Sequence, residues 1–93
     1  MLEVVREYTV ANQARVQFNE QTRAYATDEE LELEEQLVAR WIETAERLAD
    51  ARDQSPELIR AQLEVARDCR GSPLGDKALN AAYDTVKTFA PAF

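Results

Sequence analysis

The sequence predicts one all-α domain, residues 1–93, with four helices in a bundle-like arrangement. The chain contains only two glycines and three prolines, so few positions force a helix to stop. Alanine, glutamate, leucine and arginine are its most frequent residues, and all four favour helices. Apolar residues recur with the helical period along most of the chain, which indicates helices that pack on one another.

The first predicted helix spans about residues 2–26 and carries two apolar stripes on its surface. The stronger stripe has a near-heptad spacing and the second is weaker. They consist of Val4, Tyr8, Ala11, Phe18 and Tyr25, and of Leu2, Val5 and Val16. Two stripes predict two neighbours, either within the fold or in a second copy of the chain.

The second predicted helix spans about residues 28–53 and has the strongest helix signal in the chain. Thr27 followed by Glu30 forms a capping box, in which each side chain satisfies a backbone N–H group of the other residue. The apolar residues cover roughly half of the helix circumference, which again predicts two neighbours. Only one or two residues separate this helix from the first, so the two are predicted to form a long antiparallel hairpin.

Two shorter helices are predicted to pack on this hairpin, at about residues 56–70 and 76–90. Ser55 followed by Pro56 is typical of a helix start, with the serine as N-cap and the proline as first helical residue. Gly71 suits the position after a helix end and Pro73 opposes continuation, so we predict a loop over residues 71–76. The apolar face of the last helix is read as Ala78, Leu79, Ala82, Tyr83, Val86, Phe89 and Ala90.

The largest inward-facing apolar side chains are expected to form the core, with the only tryptophan as the largest contribution. Cys69 belongs to this group as a small buried hydrophobe, because the chain has no histidine to activate a thiol. The expected core is Tyr8, Phe18, Leu37, Val38, Trp41, Ile42, Ala45, Leu48, Leu58, Val65, Cys69, Ala82, Val86 and Phe89.

The net charge of −7 is concentrated at the start of the second helix. Six acids and no base occur over residues 28–35, and we call them the acidic patch: Asp28, Glu29, Glu30, Glu32, Glu34 and Glu35. One interpretation is a solvated helix start that suits the helix dipole, and the other is a docking surface for a basic partner. Glu30 and Glu34 point towards the apolar side, so we expect a rim position or an ion pair with Arg15 or Arg23.

The residue types argue against an enzyme. The absence of histidine removes the commonest general base and the commonest transition-metal ligand. Glu32-x-x-Glu35 and Asp50-x-x-Asp53 loosely resemble the carboxylate pairs of Mg²⁺-dependent all-α nucleotide pyrophosphohydrolases, and that resemblance would imply a metal-dependent hydrolase. Both pairs, however, fall on the solvent face of one predicted helix, about 27 Å apart, and cannot share an ion within a protomer. We expect no catalytic residue, metal or cofactor.

The function that the sequence favours is therefore a non-catalytic interaction or regulatory protein that acts through helix faces. The apolar residues expected to contact a partner or a second copy are Val5, Val16, Leu33, Leu37 and Trp41. The alternative is an acidic inhibitor, of the kind that phages and mobile elements carry, whose acidic patch occupies the basic nucleic-acid-binding surface of another protein. A Mg²⁺-dependent nucleotide pyrophosphohydrolase is the second alternative.

Charge and hydropathy limit the other partners. Net acidity opposes direct binding to nucleic acid or to an anionic membrane. No run of about 18 apolar residues predicts a membrane span, and the start of the chain lacks the pattern of a secretory signal. A single cysteine, which has no partner for an intramolecular disulfide, fits the reducing cytoplasm, where we expect the protein to be located.

Overall fold

A computed structural model describes residues 2–21 and 27–89, and these residues form four α-helices and no strand. The helices are α1 (Glu3–Gln21), α2 (Asp28–Asp50), α3 (Pro56–Asp68) and α4 (Pro73–Phe89). The predicted all-α, bundle-like fold is confirmed. The predicted extension of the first helix over residues 22–26 and the side chain of Phe89 lie outside the described parts.

The helices form two antiparallel hairpins that pack on each other through α2. In the first hairpin, Glu7 pairs with Arg47 at 2.9 Å and Arg15 lies 4.2 Å from the centre of the Trp41 ring, so α1 and α2 run in opposite directions. In the second hairpin, the end of α3 and the start of α4 line one depression. Helix α2 contacts all three other helices, one more neighbour than its apolar arc predicted.

The core is built largely from small residues where the helices cross. Its buried apolar members are Val5, Tyr8, Ala11, Ala45, Leu48, Ala49, Leu58, Ala61, Val65, Ala78, Ala81 and Ala82. Alanines allow α2, α3 and α4 to approach closely, which moves larger side chains to the edges of the contacts. Val86 and Ile42, both expected in the core, are therefore partly exposed. Five further expected core residues are only half-buried: Phe18, Leu37, Val38, Trp41 and Cys69.

Helix α2 ends at Asp50, before the predicted end at residue 53, and two ion pairs link this end to α4. Lys77 Nζ lies 2.5 Å from an Asp50 carboxylate oxygen, and Arg52 lies 3.7 Å from Asp84. The four side chains are about half exposed, so these pairs contribute little free energy. They connect the end of α2 to α4 on the surface of the molecule.

Hydrogen bonds from two side chains cap the carbonyl groups at the end of α2. The amide nitrogen of Gln62, a fully buried residue of α3, donates to the carbonyl oxygens of Leu48 and Ala51, each at 3.0 Å. One guanidinium nitrogen of Arg52 donates to the carbonyl oxygens of Ala49 and Ala51, each at 2.9 Å. A helix end without a glycine cap is thereby satisfied and joined to α3.

Helix α4 begins at Pro73 rather than at Asp76, so the predicted loop over residues 71–76 is wrong. The hydroxyl oxygen of Ser72 accepts a hydrogen bond from the Gly75 N–H group at 3.1 Å, as an N-cap residue does. Ser55 caps α3 in the same way, at 3.4 Å from the nitrogen of Leu58. The prediction is wrong because Pro73, which was taken only to oppose continuation of α3, is the first residue of α4.

Gly75 lets the first turn of α4 lie directly against the end of α3. A Cβ atom at this position would lie 2.2 Å from the carbonyl oxygen of Cys69, which is well inside the van der Waals distance. The second glycine, Gly71, has a φ of 85° and supplies the left-handed residue between the helices. Both glycines thus shape the tight α3–α4 connection.

We expect Gln62→Met to lower the free energy of unfolding by about 1–2 kcal/mol. Methionine preserves the length of the side chain but removes both hydrogen bonds to α2. The loss stays moderate because each carbonyl keeps one other donor, and because the buried carbonyl oxygen of Gln62 has no hydrogen-bond partner among the described residues. Urea denaturation measures the change. Gln13→Met, at an exposed position of α1, is the control and should leave stability unchanged.

We expect Gly75→Ala to cost about 1–3 kcal/mol, because the added methyl group must push α4 away from the Cys69 carbonyl. Thermal unfolding followed by circular dichroism measures the change. Asn80→Ala, at an exposed position of the same helix, is the matched control and should unfold like the parent protein. A Gly75→Ala variant as stable as this control would contradict the close approach of the two helices.

Candidate functional site

One end of the α1–α2 hairpin extends beyond the core, and we call it the arm (residues 12–20 and 28–42). No described residue of the arm is fully buried. The buried residues of the same two helices all lie at the other end: Val5, Tyr8, Ala11, Thr44, Ala45, Leu48 and Ala49. The molecule is accordingly elongated, 53 Å long and 27 Å wide. The arm is thus a pair of helices without a third helix to cover them.

The acidic patch lies at the end of the arm. The hydroxyl group of Thr27 accepts a hydrogen bond from the Glu30 N–H group and donates one to the Glu30 carboxylate, each at 3.2 Å. The predicted N-cap is confirmed, although the carboxylate accepts from the hydroxyl group rather than from the backbone. Four of the six acids are exposed, and none forms an ion pair with another described residue.

Glu30 and Glu34 are half-buried and take the predicted rim position. Arg15, one of their two expected partners, donates instead to the side-chain oxygen of Asn12 at 2.9 Å. The second expected partner, Arg23, lies outside the described residues. The negative charge of the patch is therefore not neutralised by any described base.

The five apolar residues predicted to contact a partner divide into three groups. Val16 and Leu33 are exposed on the arm, and Leu37 and Trp41 are half-buried along it. Val5 is only 4% exposed and packs in the core, because the other helices cover that end of α1. Val5 is therefore removed from the candidate surface, and the other four remain.

A second apolar row on the arm consists of Leu31, Val38 and Ile42, and we call it the α2 strip. Leu31 is 48% exposed, Ile42 is exposed and Val38 is half-buried. Ala49, five helical turns after Leu31 and on the same side of α2, is fully buried. The side of α2 that is covered in the bundle is thus bare along the arm, which is why Ile42 is not a core residue.

Sequence analysis missed a third apolar surface, on the outer face of α3 and α4. We call it the α3–α4 groove; it has a volume of about 290 Å³ and is lined mainly by Ile59, Leu63, Leu79, Tyr83 and Val86. Tyr83 is 65% exposed and Leu63 is 47% exposed. Leu63 also lines the two neighbouring depressions, so it is the centre of one continuous surface.

The pattern of small and large residues in α4 could have revealed this groove. The helix buries its small residues, Ala78, Ala81, Ala82 and Thr85. Its larger apolar residues recur at spacings of four and three beside that face, at Leu79, Tyr83 and Val86. A helix that presents alanines to the core brings its neighbour close and leaves the adjacent row of large residues outside.

The three depressions that meet at Leu63 carry more positive than negative charge. Their charged lining residues are the bases Arg60, Arg67, Arg70 and Lys87 and the acids Glu64 and Asp76. Four bases and two acids give a local charge of +2, on a chain whose net charge is −7. The groove and the acidic patch therefore have opposite charges.

Buried polar atoms cluster where the arm meets the core. The hydroxyl group of Tyr8, the indole nitrogen of Trp41 and one guanidinium nitrogen of Arg15 have no hydrogen-bond partner among the described residues. Burial raises the pKa of Tyr8, the indole of Trp41 opposes the rise, and the negative charge of Asp68 adds to it. The guanidinium carbon of Arg15 lies 4.2 Å from the centre of the Trp41 ring, within the range of a cation–π interaction.

Cys69 lies at the end of α3, and its surroundings disfavour the thiolate. Burial raises the pKa of the Cys69 thiol, and the charge of Asp68 raises it further, while Arg15 acts in the opposite direction. The thiol is half-buried. Its chemistry agrees with the predicted role of a small apolar residue and not with that of a nucleophile.

The carboxylate pairs considered for Mg²⁺ are distributed along α2 and beyond it. Glu32 and Glu35 lie at the start of the helix, and Asp50 is its last residue. Asp53 follows the helix end, so the predicted continuous helix through Asp53 is wrong. Within residues 2–21 and 27–89, no three histidine, cysteine or acidic side chains come together as metal ligands would.

No protein-family model, no curated protein and no solved structure matches the chain. None of the described helices has the length and apolar character required to cross a membrane. The surfaces themselves are thus the basis for inferring function.

We expect Cys69 to react with iodoacetamide more slowly than the unfolded chain at neutral pH, because its raised pKa reduces the thiolate fraction. The neutral thiol stabilises the fold below the ordinary thiol pKa, and this contribution disappears as pH rises through the raised pKa. Asp68→Asn should move the pH profile of the reaction to lower pH. Asp76→Asn, an exposed change in α4, should not; equal rates for folded and unfolded protein would contradict the assignment.

Proposed function

We propose that this protein is a non-catalytic, protein-binding regulator that acts through helix faces, with the arm as its main binding surface. The observation that carries the proposal is the lack of any fully buried residue among the described residues of the arm. Val16 and Leu33 are nevertheless exposed there, and Leu37 and Trp41 only half-buried. Apolar side chains that the fold leaves exposed in this way suit a surface that a protein partner covers.

The physical argument concerns the arm as an unsupported pair of helices. Two helices alone cannot fully bury their apolar sides, so their packing contributes less than the packing of the four-helix core. A partner that lies along the arm would supply the missing cover and gain free energy from the area removed from water. Leu33, Leu37 and Trp41 recur every four residues along α2, and helix-in-groove recognition uses side chains with this spacing.

To test this proposal, the tagged chain is immobilised, a partner is captured from lysate of the native host, and its affinity is measured. The double variant Val16→Gln, Leu33→Gln should weaken binding about tenfold or more, which corresponds to about 1.4 kcal/mol. Val10→Gln, the same kind of change at a residue that is 62% exposed and lies outside both the arm and the α3–α4 groove, is the control and should bind normally. Equal affinity of the double variant would contradict the arm as the binding surface.

A second candidate function is favoured by the acidic patch. Its six acids have no base among the described residues to neutralise them, and four of them are exposed. Such a surface suits an inhibitor that occupies the basic nucleic-acid-binding surface of a partner protein. In this function the partner recognises charge first and apolar area second.

The inhibitor function predicts binding that weakens steeply with salt. The triple variant Glu29→Gln, Glu32→Gln, Glu35→Gln should lower the association rate about tenfold at low ionic strength. The matched control, Glu3→Gln with Glu46→Gln and Asp53→Asn, removes the same net charge at exposed positions outside the arm. Equal effects of the two triple variants, or binding that is insensitive to salt, would exclude a specific role for the acidic patch.

The proposal also includes the absence of catalysis and a cytoplasmic location. The carboxylate pairs lie at opposite ends of α2, which is the support for a non-catalytic protein. Mg²⁺-dependent turnover of any nucleoside triphosphate in a small panel would instead favour the pyrophosphohydrolase alternative. A cytoplasmic location agrees with a single free cysteine, and fractionation of the native host tests it.

A further inference from the structure

We propose that the α3–α4 groove binds the α2 strip of a second copy of the chain, so that the protein associates with itself. The inference extends the proposed function by naming one partner and one additional surface. It rests on that function only in taking the arm to be a binding surface. Three features of the described residues support it: matched apolar rows, opposite charges and the separation of the two surfaces within one molecule.

The apolar parts of the two surfaces match in form. The groove between α3 and α4 is concave, and its centre, Leu63, is 47% exposed. The α2 strip is a convex row on one side of a single helix, with Leu31 at 48% exposure. A helix that presents large apolar residues at spacings of seven and four fits a groove between two antiparallel helices and completes a three-helix contact.

The charges beside these apolar parts are opposite. Asp28, Glu32 and Glu35 flank the strip on one side, and residues 28–35 include no base. The groove and the two depressions that adjoin it at Leu63 together have the local charge of +2 derived above. Arg60 extends beside it with 85% of its side chain exposed, and its nearest acid, Glu64, lies 3.8 Å away. Attraction between the two surfaces offsets part of the general repulsion between two chains that each carry −7.

Arg67 is the base best placed to meet an incoming carboxylate. It lies in two of the three depressions that meet at Leu63. Its side chain is 68% exposed, and its hydrogen bond to Asp68, at 3.1 Å, is donated by the Nε atom rather than by either of the two terminal nitrogens. Those nitrogens remain available for a bidentate contact with a carboxylate of the second copy.

The two surfaces cannot meet within one molecule. Helix α2 is continuous from Asp28 to Asp50, and hydrogen bonds and ion pairs attach it to α3 and α4 near its end, from Leu48 onwards. Leu31 lies about 25 Å along the helix axis from Leu48. The complementary surfaces are therefore displayed by the same chain but can pair only between chains, either reciprocally in a dimer or head-to-tail in a longer assembly.

Sedimentation velocity of the full chain over a range of concentrations tests the inference. We expect a concentration-dependent increase in mass. Leu63→Lys and, separately, Tyr83→Lys should each weaken self-association about tenfold or more while the helical circular dichroism stays unchanged. Tyr83 is the safer of the two positions because it is 65% exposed. Val10→Lys is the matched control, since Val10 is 62% exposed but lies outside both surfaces.

A charge exchange identifies the partner surface. Arg67→Glu and Glu35→Arg should each weaken self-association about tenfold. An equal mixture of the two variants should recover it, because each groove then meets a strip of opposite charge. Self-association that none of the four variants weakens would overturn the inference. So would a mixture of Arg67→Glu and Glu35→Arg that associates as weakly as either variant alone.

The outcome is separable from that of the proposed function. A strict monomer at every concentration that still captures another protein through Val16 and Leu33 would overturn self-association and leave the proposed function intact. Self-association that Tyr83→Lys removes, in a protein without another partner, would support the inference and contradict a regulator of other proteins.

Discussion

The end of α2 is the constraint on which the rest of the structure depends. A helix leaves its last carbonyl groups without intrahelical partners, and here Gln62 and Arg52 supply the donors. Because Gln62 belongs to α3 and Arg52 pairs with Asp84 of α4, the cap also joins the end of α2 to both helices of the second hairpin. Where the two hairpins cross, small residues face one another at the centre, and larger ones are left at the edges.

This position of the crossing divides the molecule into two unlike parts. The second hairpin covers the end of α2 near Leu48 and leaves the beginning of α2 with only α1 beside it. The arm, its acidic patch and the α2 strip are consequences of this offset. If α3 and α4 lay centrally along α2, the same residues would form an ordinary covered bundle. In our proposals, the protein binds partners through apolar residues of the arm that α3 and α4 leave uncovered.

Local signals in the sequence were enough to find the four helices and most of their ends. Thr27 and Ser55 mark helix starts through short-range hydrogen bonds, which a sequence displays directly. Ser72 gives the same signal, and it was missed because Gly75 was interpreted as part of a loop. Only the structure identifies Gly75 as the contact point between two helices, since that role depends on where Cys69 lies.

The surfaces were less predictable, because exposure depends on which helix covers which side. Periodicity placed Leu79, Tyr83 and Ile42 in apolar rows of their helices, and these rows exist. The residues are nevertheless exposed. Periodicity could not indicate that α2 is covered only from about Thr44 onwards, so that Ile42 is left exposed. Val5 and Leu33 were both predicted to contact a partner, yet Val5 is buried in the core and Leu33 is exposed. The difference is set by contacts distant in the chain, which neither residue's neighbours encode.

Helix α2 is a single uninterrupted helix, but its two halves differ in the free energy needed for local unfolding. The amide of Leu48 is in the buried part, where hydrogen exchange requires the core to open. The amide of Leu33 is in the arm, where exchange requires only that the arm helices separate. Protection should therefore fall gradually from the end of α2 towards its start. A partner that covers the arm would extend the protected region towards the start of α2. Binding would therefore be detected as slower hydrogen exchange at amides many residues from the core.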